Sequence, residues 1–472
     1  MPKIKITDFD NTGVIQSPAI SNAVYIPGPV VANSQGVKEH KDAKKFDTLA
    51  ALKAYNHPDE QVNAAVYNEN CLSYKLMVRL LQYGISVVYE GIVEEQTGKY
   101  PETASNGIDF EKLADKTLKD TGPIRFITMG QYSIVKQELV EIAAKRGDCI
   151  ALLDHPDTST LPDKEVYELL ATEPADWSTN YTSYYTKEGS GSSATYIPVP
   201  ESDPAPTFAE DTYYKKTIIK LSQVDKVRTY FETNATTTVK NGLSYSAAFT
   251  PSFETTDELF LDTSSSSTKY YTIPASFGFL FAYARAIQNN PEWYSAAGSF
   301  RGIITELSDV TYHYGYAECE QLQGRSKTDG TIDLDAEGDN VGSAINPITY
   351  VDPFGTIVWG DRTFIVNNGA TIASSFLNVR NLVCILKKAL YAAARKYTFE
   401  QNDDILYSNF KAQITPYLDK MQSGNGILGY KFVKLATDKK ARLKARLIII
   451  PIEPVEDFEL EIELADAIEV VE

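Results

Sequence analysis

Arg125-Phe126-Ile127-Thr128-Met129, Ser133–Lys145 and Cys149-Ile150-Ala151-Leu152-Leu153 together decide the fold class of this chain. The first run has strand length, and the second places Ile134, Val135, Leu139, Ile142 and Ala143 at helical intervals. The third is an unbroken apolar run between Asp148 and Asp154, the pattern of a strand buried on both faces. Strand, helix and strand within residues 125–153 predict a parallel βαβ unit, because parallel neighbours need a crossover and a helix supplies it. The expected fold class is therefore α/β within a larger α+β multidomain chain.

Upstream, Leu49, Leu52, Val62, Ala65, Val66, Leu72, Leu76, Val78 and Leu80 fall at helical intervals. Gly84 ends that stretch, and Ile85-Ser86-Val87-Val88-Tyr89 reads as a strand, so residues 46–120 are expected to form an N-terminal α/β part. Residues 1–45 lack helical periodicity and contain Pro18, Pro27 and Pro29, which predicts an extended arm. Downstream, residues 157–241 are irregular, with Gly/Ser-rich Lys187–Ser193 and Pro-rich Pro198–Pro206. A helix at Val224–Phe231, a strand at Tyr245–Phe249, a loop at Ser264–Ser267 and a helix at Phe277–Ile287 follow. The expectation is a middle domain over 121–344 with surface insertions near 157–243 and 301–340.

The last segment, 345–472, is patterned most clearly. Ile357-Val358-Trp359 and Thr363-Phe364-Ile365-Val366 read as strands. Phe376–Tyr397 reads as an amphipathic helix with Leu377, Leu382, Ile385, Leu386 and Leu390 inside. Its Arg380, Lys387, Lys388, Arg395 and Lys396 are expected largely outside. Asn402 or Asp403 can cap a second helix reaching about Met421, with Gly424 and Gly426 ending it. Two strands then close the chain, Lys444–Ile450 and Phe458–Leu464, with a terminal arm over about 451–472. In the latter, Phe458, Leu460, Ile462 and Leu464 alternate with Glu459, Glu461 and Glu463, giving one apolar face. Such a strand suits a sheet edge of its own subunit and an arm added to a neighbour's sheet equally well.

Composition narrows the function. The chain has 472 residues, 43% hydrophobic and 23% charged, which places it among multidomain soluble proteins. Apolar runs such as Leu447–Ile450 fall far short of the ~20 residues that span a bilayer. Met1-Pro2-Lys3-Ile4-Lys5-Ile6-Thr7 has no apolar core of a secretory signal, so a cytosolic chain is expected. Cys71, Cys149, Cys319 and Cys384 are widely spaced, as buried free thiols would be. A net charge of −18 disfavours general binding to nucleic acid or anionic lipid. The charge is bipolar: residues 376–446 hold 14 Lys/Arg against 5 Asp/Glu, and 447–472 hold 9 Asp/Glu and no Lys/Arg. That arrangement suits head-to-tail contact between copies. The 30 tyrosines and 20 phenylalanines supply amphipathic contact area, in interfaces or over a large sheet.

Catalytic chemistry is not indicated. His155 follows a buried strand, where α/β enzymes carry active residues, yet no nucleophile elbow, zinc-binding His pair or phosphate loop accompanies it. Asp333-Leu334-Asp335-Ala336-Glu337-Gly338 begins like a calcium loop, but its twelfth position is Ala344 where a glutamate is needed. Lys439–Arg446 is basic without the interleaved aromatics of a base-stacking platform. No enzyme activity, cofactor, metal or nucleic-acid partner is expected.

Several elements in order resemble the contractile phage tail sheath family, which also includes R-type bacteriocin and contractile injection system sheaths. Ile345-Asn346-Pro347-Ile348 and Trp359-Gly360-Asp361-Arg362-Thr363 resemble its Asn-Pro-Ile and Trp-Gly-x-Arg-Thr elements. Asn378-Val379-Arg380 resembles its helix start, and Phe399-Glu400-Gln401-Asn402 its Phe-Glu-Pro-Asn turn. Gly426-Ile427-Leu428-Gly429 and Pro451–Phe458 resemble its last turn and the approach to its final strand. The family pattern is departed from at Asn381, Gln401 and Asp361.

The resemblance implies an inner domain built from both termini, with terminal β-arms, and a middle α/β domain. It implies a structural subunit that polymerises as hexameric rings around a tail tube and contracts to drive the tube through the host envelope, in a virion tail assembled in the host cytoplasm. Partners would be further copies, the tube protein, and baseplate and tail terminator proteins, with no nucleic acid or membrane. Inter-subunit strand exchange would use Phe458, Leu460, Ile462, Leu464, Ile4 and Ile6, and tube contact would use Lys411 and Lys420. Two other readings are a non-contractile viral tube or capsid shell protein and an α/β hydrolase-like enzyme.

Overall fold

In chain order the elements are β1 (Ala23–Pro29), β2 (Lys41–Phe46), α1 (Leu49–Asn56), α2 (Leu72–Gln82), β3 (Val87–Ile92), β4 (Ile124–Ile127), α3 (Gln137–Arg146) and β5 (Ile150–Leu153). Then come β6 (Lys164–Leu169), β7 (Tyr181–Glu188), β8 (Thr195–Pro198), β9 (Thr212–Ile219), α4 (Gln223–Asn234), β10 (Ser246–Thr250), β11 (Phe253–Glu254), α5 (Ala275–Asn289), α6 (Gly298–Arg301), β12 (Asp309–Val310) and α7 (Tyr316–Leu322). The last are β13 (Val341–Ser343), β14 (Ile345–Val351), β15 (Gly355–Val358), β16 (Val366–Asn368), α8 (Leu377–Lys396), α9 (Asp404–Ser423), β17 (Ile427–Leu435) and β18 (Lys444–Pro451). The computed structural model describes residues 23–32, 36–56, 68–94, 124–156, 164–169, 181–188, 195–198, 212–219, 222–236, 242–263, 266–324, 341–368, 373–437 and 441–455.

The core is an eight-stranded sheet in the order β15-β14-β10-β5-β4-β1-β3-β2. Its six inner strands run parallel, and only the edges β15 and β2 are antiparallel. The predicted βαβ unit is present, with Phe126 opposite Ile150 and Ile127 opposite Ala151. Its strands are wholly buried, as a parallel sheet covered on both faces requires. Phe279 of α5 stacks on Phe249 of β10 at 4.9 Å, and Tyr283 meets Phe126 of β4 edge-on at 5.1 Å. This aromatic packing fixes α5 over the centre of the sheet. All four cysteines are free and buried, and burial pushes the Cys71, Cys149 and Cys319 thiols up to about 12.

Several elements differ from the sequence reading. The helix expected at Ser133–Lys145 begins at Gln137, because a 3-10 turn at Gly130–Tyr132 and a left-handed Ser133 (φ 42°) precede it. Ala23–Pro29 lies within the stretch expected as an arm, yet forms a fully buried strand between β3 and β4. Val24 donates to Ser86 on one side and Tyr25 accepts from Thr128 on the other, so the odd residues face β4. Pairing with β4 ends at Tyr25–Ile127, so Pro27 and Pro29 remove no ladder bond. The stretch 157–241, read as irregular, contains the antiparallel sheet β6-β9-β7-β8. Of Thr363–Val366, only Val366 is in a strand, since the Thr363 and Phe364 amides donate to Ser375 and Ser246 instead.

Candidate assembly surface

A buried clasp joins the last third of the chain to the sheet. The Asn346 amide on β14 donates to the carbonyls of Ala248 (3.0 Å) and Arg362 (2.8 Å) and accepts from the Arg362 amide (2.7 Å). One fully buried side chain thus ties β10, β14 and the 360–363 turn together. A Cβ on Gly360 would lie 2.8 Å from Asn346 Oδ1, so only glycine lets the turn approach this closely. Thr363 N–H donates to Ser375 and Phe364 N–H to Ser246, and Leu377 N–H donates to Asp361, which sets the start of α8. The Arg362 guanidinium lies 4.7 Å from the Phe376 ring. Trp359 O accepts from Gln323 Nε2 at 2.7 Å.

Helix α8 corrects the expectation for its cations. Arg380, Lys387 and Lys388 are buried, and only Arg395 and Lys396 of the expected outward set are exposed. Lys388 Nζ donates to Ile124 O at 2.6 Å, and Lys387 Nζ donates to Gly147 O at 2.9 Å and Tyr245 Oη at 2.8 Å. Arg380 donates to Ser244 Oγ and lies over the Tyr245 ring at 4.3 Å. The two ammonium groups thus meet main-chain and hydroxyl oxygens around β4 and β10, which offsets their loss of water. Arg125, opposite Asn381 and paired with Glu292 at 3.0 Å, and the buried Arg146–Asp148 pair complete the network. Desolvation lowers Lys388 to about 8, against the raising effect of Asp148.

Asp154 and His155, at the carboxyl end of β5, are also bound into the core. Ser276 N–H and Oγ donate to Asp154 at 2.7 and 2.5 Å near the start of α5, and burial raises Asp154 to about 6. His155 Nε2 lies 2.5 Å from Thr250 Oγ1, and its ring packs edge-on against Phe231 at 5.5 Å.

The surface itself is built by α9 and the β17–β18 hairpin. Asp403 caps α9, its carboxylate accepting from Leu406 N–H at 2.7 Å, and Gly424 ends the helix. Trp293 Nε1 donates to Gly424 O, and a Cβ on Gly426 would lie 2.7 Å from that indole nitrogen. Leu382, Ile385 and Leu386 of α8 and Ile414, Leu418 and Met421 of α9 form a second, smaller core. Tyr430, Leu447 and Ile449 of the hairpin pack against it. Phe432 stacks on Tyr407 at 5.8 Å, which fixes the hairpin's inner face on α9. Strand β17 was not expected: Tyr430 and Phe432 alternate with Lys431, but Val433 interrupts the period.

Lys411 and Lys420 are both exposed on α9. Trp359, Gly360, Arg362 and Thr363 meet in the clasp, whereas Asn378 lies half-buried at the α8 start. Phe399, Glu400 and Asn402 form the α8–α9 turn, where Phe399 is 88% exposed with φ 76°. Ile4, Ile6, Phe458, Leu460, Ile462 and Leu464 lie outside the described residues, as do the acidic loop 333–339 and Lys439-Lys440. No group of His, Cys, Asp and Glu that could hold a metal occurs among the described residues. No described helix is long and apolar enough to cross a membrane.

This mostly parallel sheet with its clasped C-terminal unit is the fold of contractile sheath subunits. The chain is similar to the PVC sheath complex of an extracellular contractile injection system in its contracted state, with TM-score 0.56 at 12% identity over 99% of this chain and 98% of that one. It is similar to the contracted helical sheath of the anti-feeding prophage, TM-score 0.52 at 11% identity over 98% of both chains. A chain of that particle's baseplate gives TM-score 0.53 at 11% identity, over 98% of this chain and 99% of that one. At these identities the likeness is one of fold. In sequence, 91 residues, 19% of the chain, are 36% identical to the tail sheath protein of Vibrio phage KVP40. That match spans 13% of the relative's length. No protein-family model matches the chain.

Proposed function

We propose that this chain is a structural sheath subunit that polymerises helically around a tube and contracts, and that its role is mechanical rather than enzymatic. The observation that carries the reading is the likeness, over almost the whole chain, to subunits of sheaths solved in the contracted state. The tail sheath match in sequence supports it independently. In this reading the terminal segments, residues 1–22 and 451–472, act as arms that exchange strands with neighbours. Contraction is then a rigid-body rearrangement about those links. Exposed Lys411 and Lys420 suit weak, releasable pairing with an acidic tube surface. Hexameric rings, baseplate and terminator contacts, and assembly in a host cytoplasm into a tail belong to the same proposal.

Electron microscopy of the purified protein, alone and with tube protein, tests this reading. Hollow cylinders are the expected result, and a chain that stays monomeric at high concentration in both conditions would sink it. Deleting residues 458–472 is expected to abolish polymerisation and leave a folded monomer by circular dichroism. Loss of folding would place that strand in its own subunit's core.

A further inference from the structure

We propose that Phe399, in the α8–α9 turn of one copy, seats in the pocket between α9 and residues 290–293 of a second copy, where Glu400 beside it meets Lys420. The inference rests on the sheath reading and adds a side-chain contact, separate from the terminal arms, that fixes the direction in which copies follow one another.

Phe399 departs from its neighbours in both exposure and backbone. It is 88% exposed and left-handed (φ 76°), a conformation that a bulky residue keeps only where something holds it there. Within its own chain the ring meets no aromatic ring and no cation among the described residues. Ile405, in the first turn of α9, is 67% exposed. Large apolar side chains exposed together at one turn mark an interaction surface. Residues 397–410 hold Glu400, Asp403 and Asp404 and no Lys or Arg. Asp403 caps α9 and Asp404 pairs with Lys434, which leaves exposed Glu400 without an ion pair among the described residues.

The pocket has the complementary character. It has a volume of about 380 Å³ and is lined by Pro291, Glu292, Trp293, Tyr417, Lys420 and Gly424 among others. Trp293 Nε1 donates to Gly424 O, which fixes the indole as one wall, and Tyr417 packs on the second core to form another. Glu292 is already paired with Arg125 at 3.0 Å, whereas exposed Lys420 has no ion pair among the described residues. A ring followed by a carboxylate thus matches an aromatic-walled pocket flanked by an ammonium. Helix α9 has 20 residues and rises about 30 Å. Phe399 precedes its first turn and the pocket adjoins its last, so no copy can fill its own pocket. A second copy can, joined head to tail, and such a contact leaves one ring and one pocket open at the ends and propagates into a helical polymer. It assigns Lys420 to the neighbouring copy and leaves Lys411 to the tube.

Changes on each side of the contact test this, read as the critical concentration for polymerisation in the condition where the unchanged chain forms cylinders. Phe399→Gly is expected to raise it about tenfold or more, the scale of losing one buried phenyl ring. The variant monomer is expected to melt no lower than the unchanged one, because glycine takes a positive φ without strain. E400K and K420E are each expected to raise the critical concentration about fivefold at low salt. A chain carrying both, like an equal mixture of the two, is expected to return to within about twofold of the unchanged chain, since each altered end then meets its opposite charge. Residues 400 and 420 lie a helix length apart, so rescue in the double variant comes from contact between copies. A Phe399→Gly chain that polymerises normally would overturn the proposal and leave the sheath reading standing, as would single-charge defects that persist in the double variant. A Phe399→Gly monomer that fails to fold would also overturn it, by placing the ring in its own subunit's structure. Defects seen only with tube protein present would give the pocket to the tube instead. If the unchanged chain forms no cylinders in any condition, the sheath reading itself fails.

Discussion

Asn346→Leu is expected to destabilise the fold by about 3–5 kcal/mol, because leucine keeps the volume and removes every polar contact of the clasp. The carbonyls of Ala248 and Arg362 and the amide of Arg362 would each lose the Asn346 side chain in a site without solvent. A buried group left without its partner costs about 1–3 kcal/mol, and small shifts recover part of the sum. The damage should spread to the C-terminal unit, since the same turn carries the Thr363–Ser375 and Leu377–Asp361 bonds that set the start of α8. Denaturant unfolding of the two chains measures the effect, and a difference below about 1 kcal/mol would show that the clasp is not needed. Gly360→Ala approaches the same contact from the other side, with its Cβ against Asn346 Oδ1. Because the two sites share one contact, their combined effect is expected to be less than the sum.

How far this was legible in the sequence depends on where each partner lies. The βαβ unit could be read because its periodicity is local, and Asp403 and Gly424 mark α9 through bonds to nearby residues. The sheet order could not, since β10 pairs with β5 and β14 across long separations that no local pattern encodes. Hydropathy placed Lys387 and Lys388 outside, because nothing in their own helix reveals that carbonyls of Gly147 and Ile124 wait at the far end of their stems. Prolines hid β1 for a similar reason: whether a missing N–H matters depends on where the neighbouring strand stops. At the C-terminal hairpin β18 was visible and β17 was not, as Val433 masks the period of β17.

Lys388→Met is expected to be within about 1 kcal/mol of the unchanged chain at pH 7 and to become less stable than it by roughly 3 kcal/mol more as pH rises towards 10.5. Lys388 is fully buried, and desolvation lowers it from 10.5 to about 8, with Asp148 opposing and Arg125 reinforcing that fall. Below pH 8 both states carry the proton, so folding bears the full cost of burying the ammonium. Between 8 and 10.5 the unfolded chain keeps its proton and the folded chain has released it, so the unfolded state binds more protons and stability rises with pH. Methionine has no proton to release, and the difference between the two chains therefore isolates this gain from the thiols, which titrate in both. At pH 7 the lost bond to Ile124 O opposes the relief from a buried charge, which is why the two chains start close together. Denaturant midpoints measured from pH 7 to 10 follow the divergence. A flat difference would mean that Lys388 holds its proton throughout, and that the network of Asp148 and the surrounding carbonyls offsets desolvation far more than its geometry suggests.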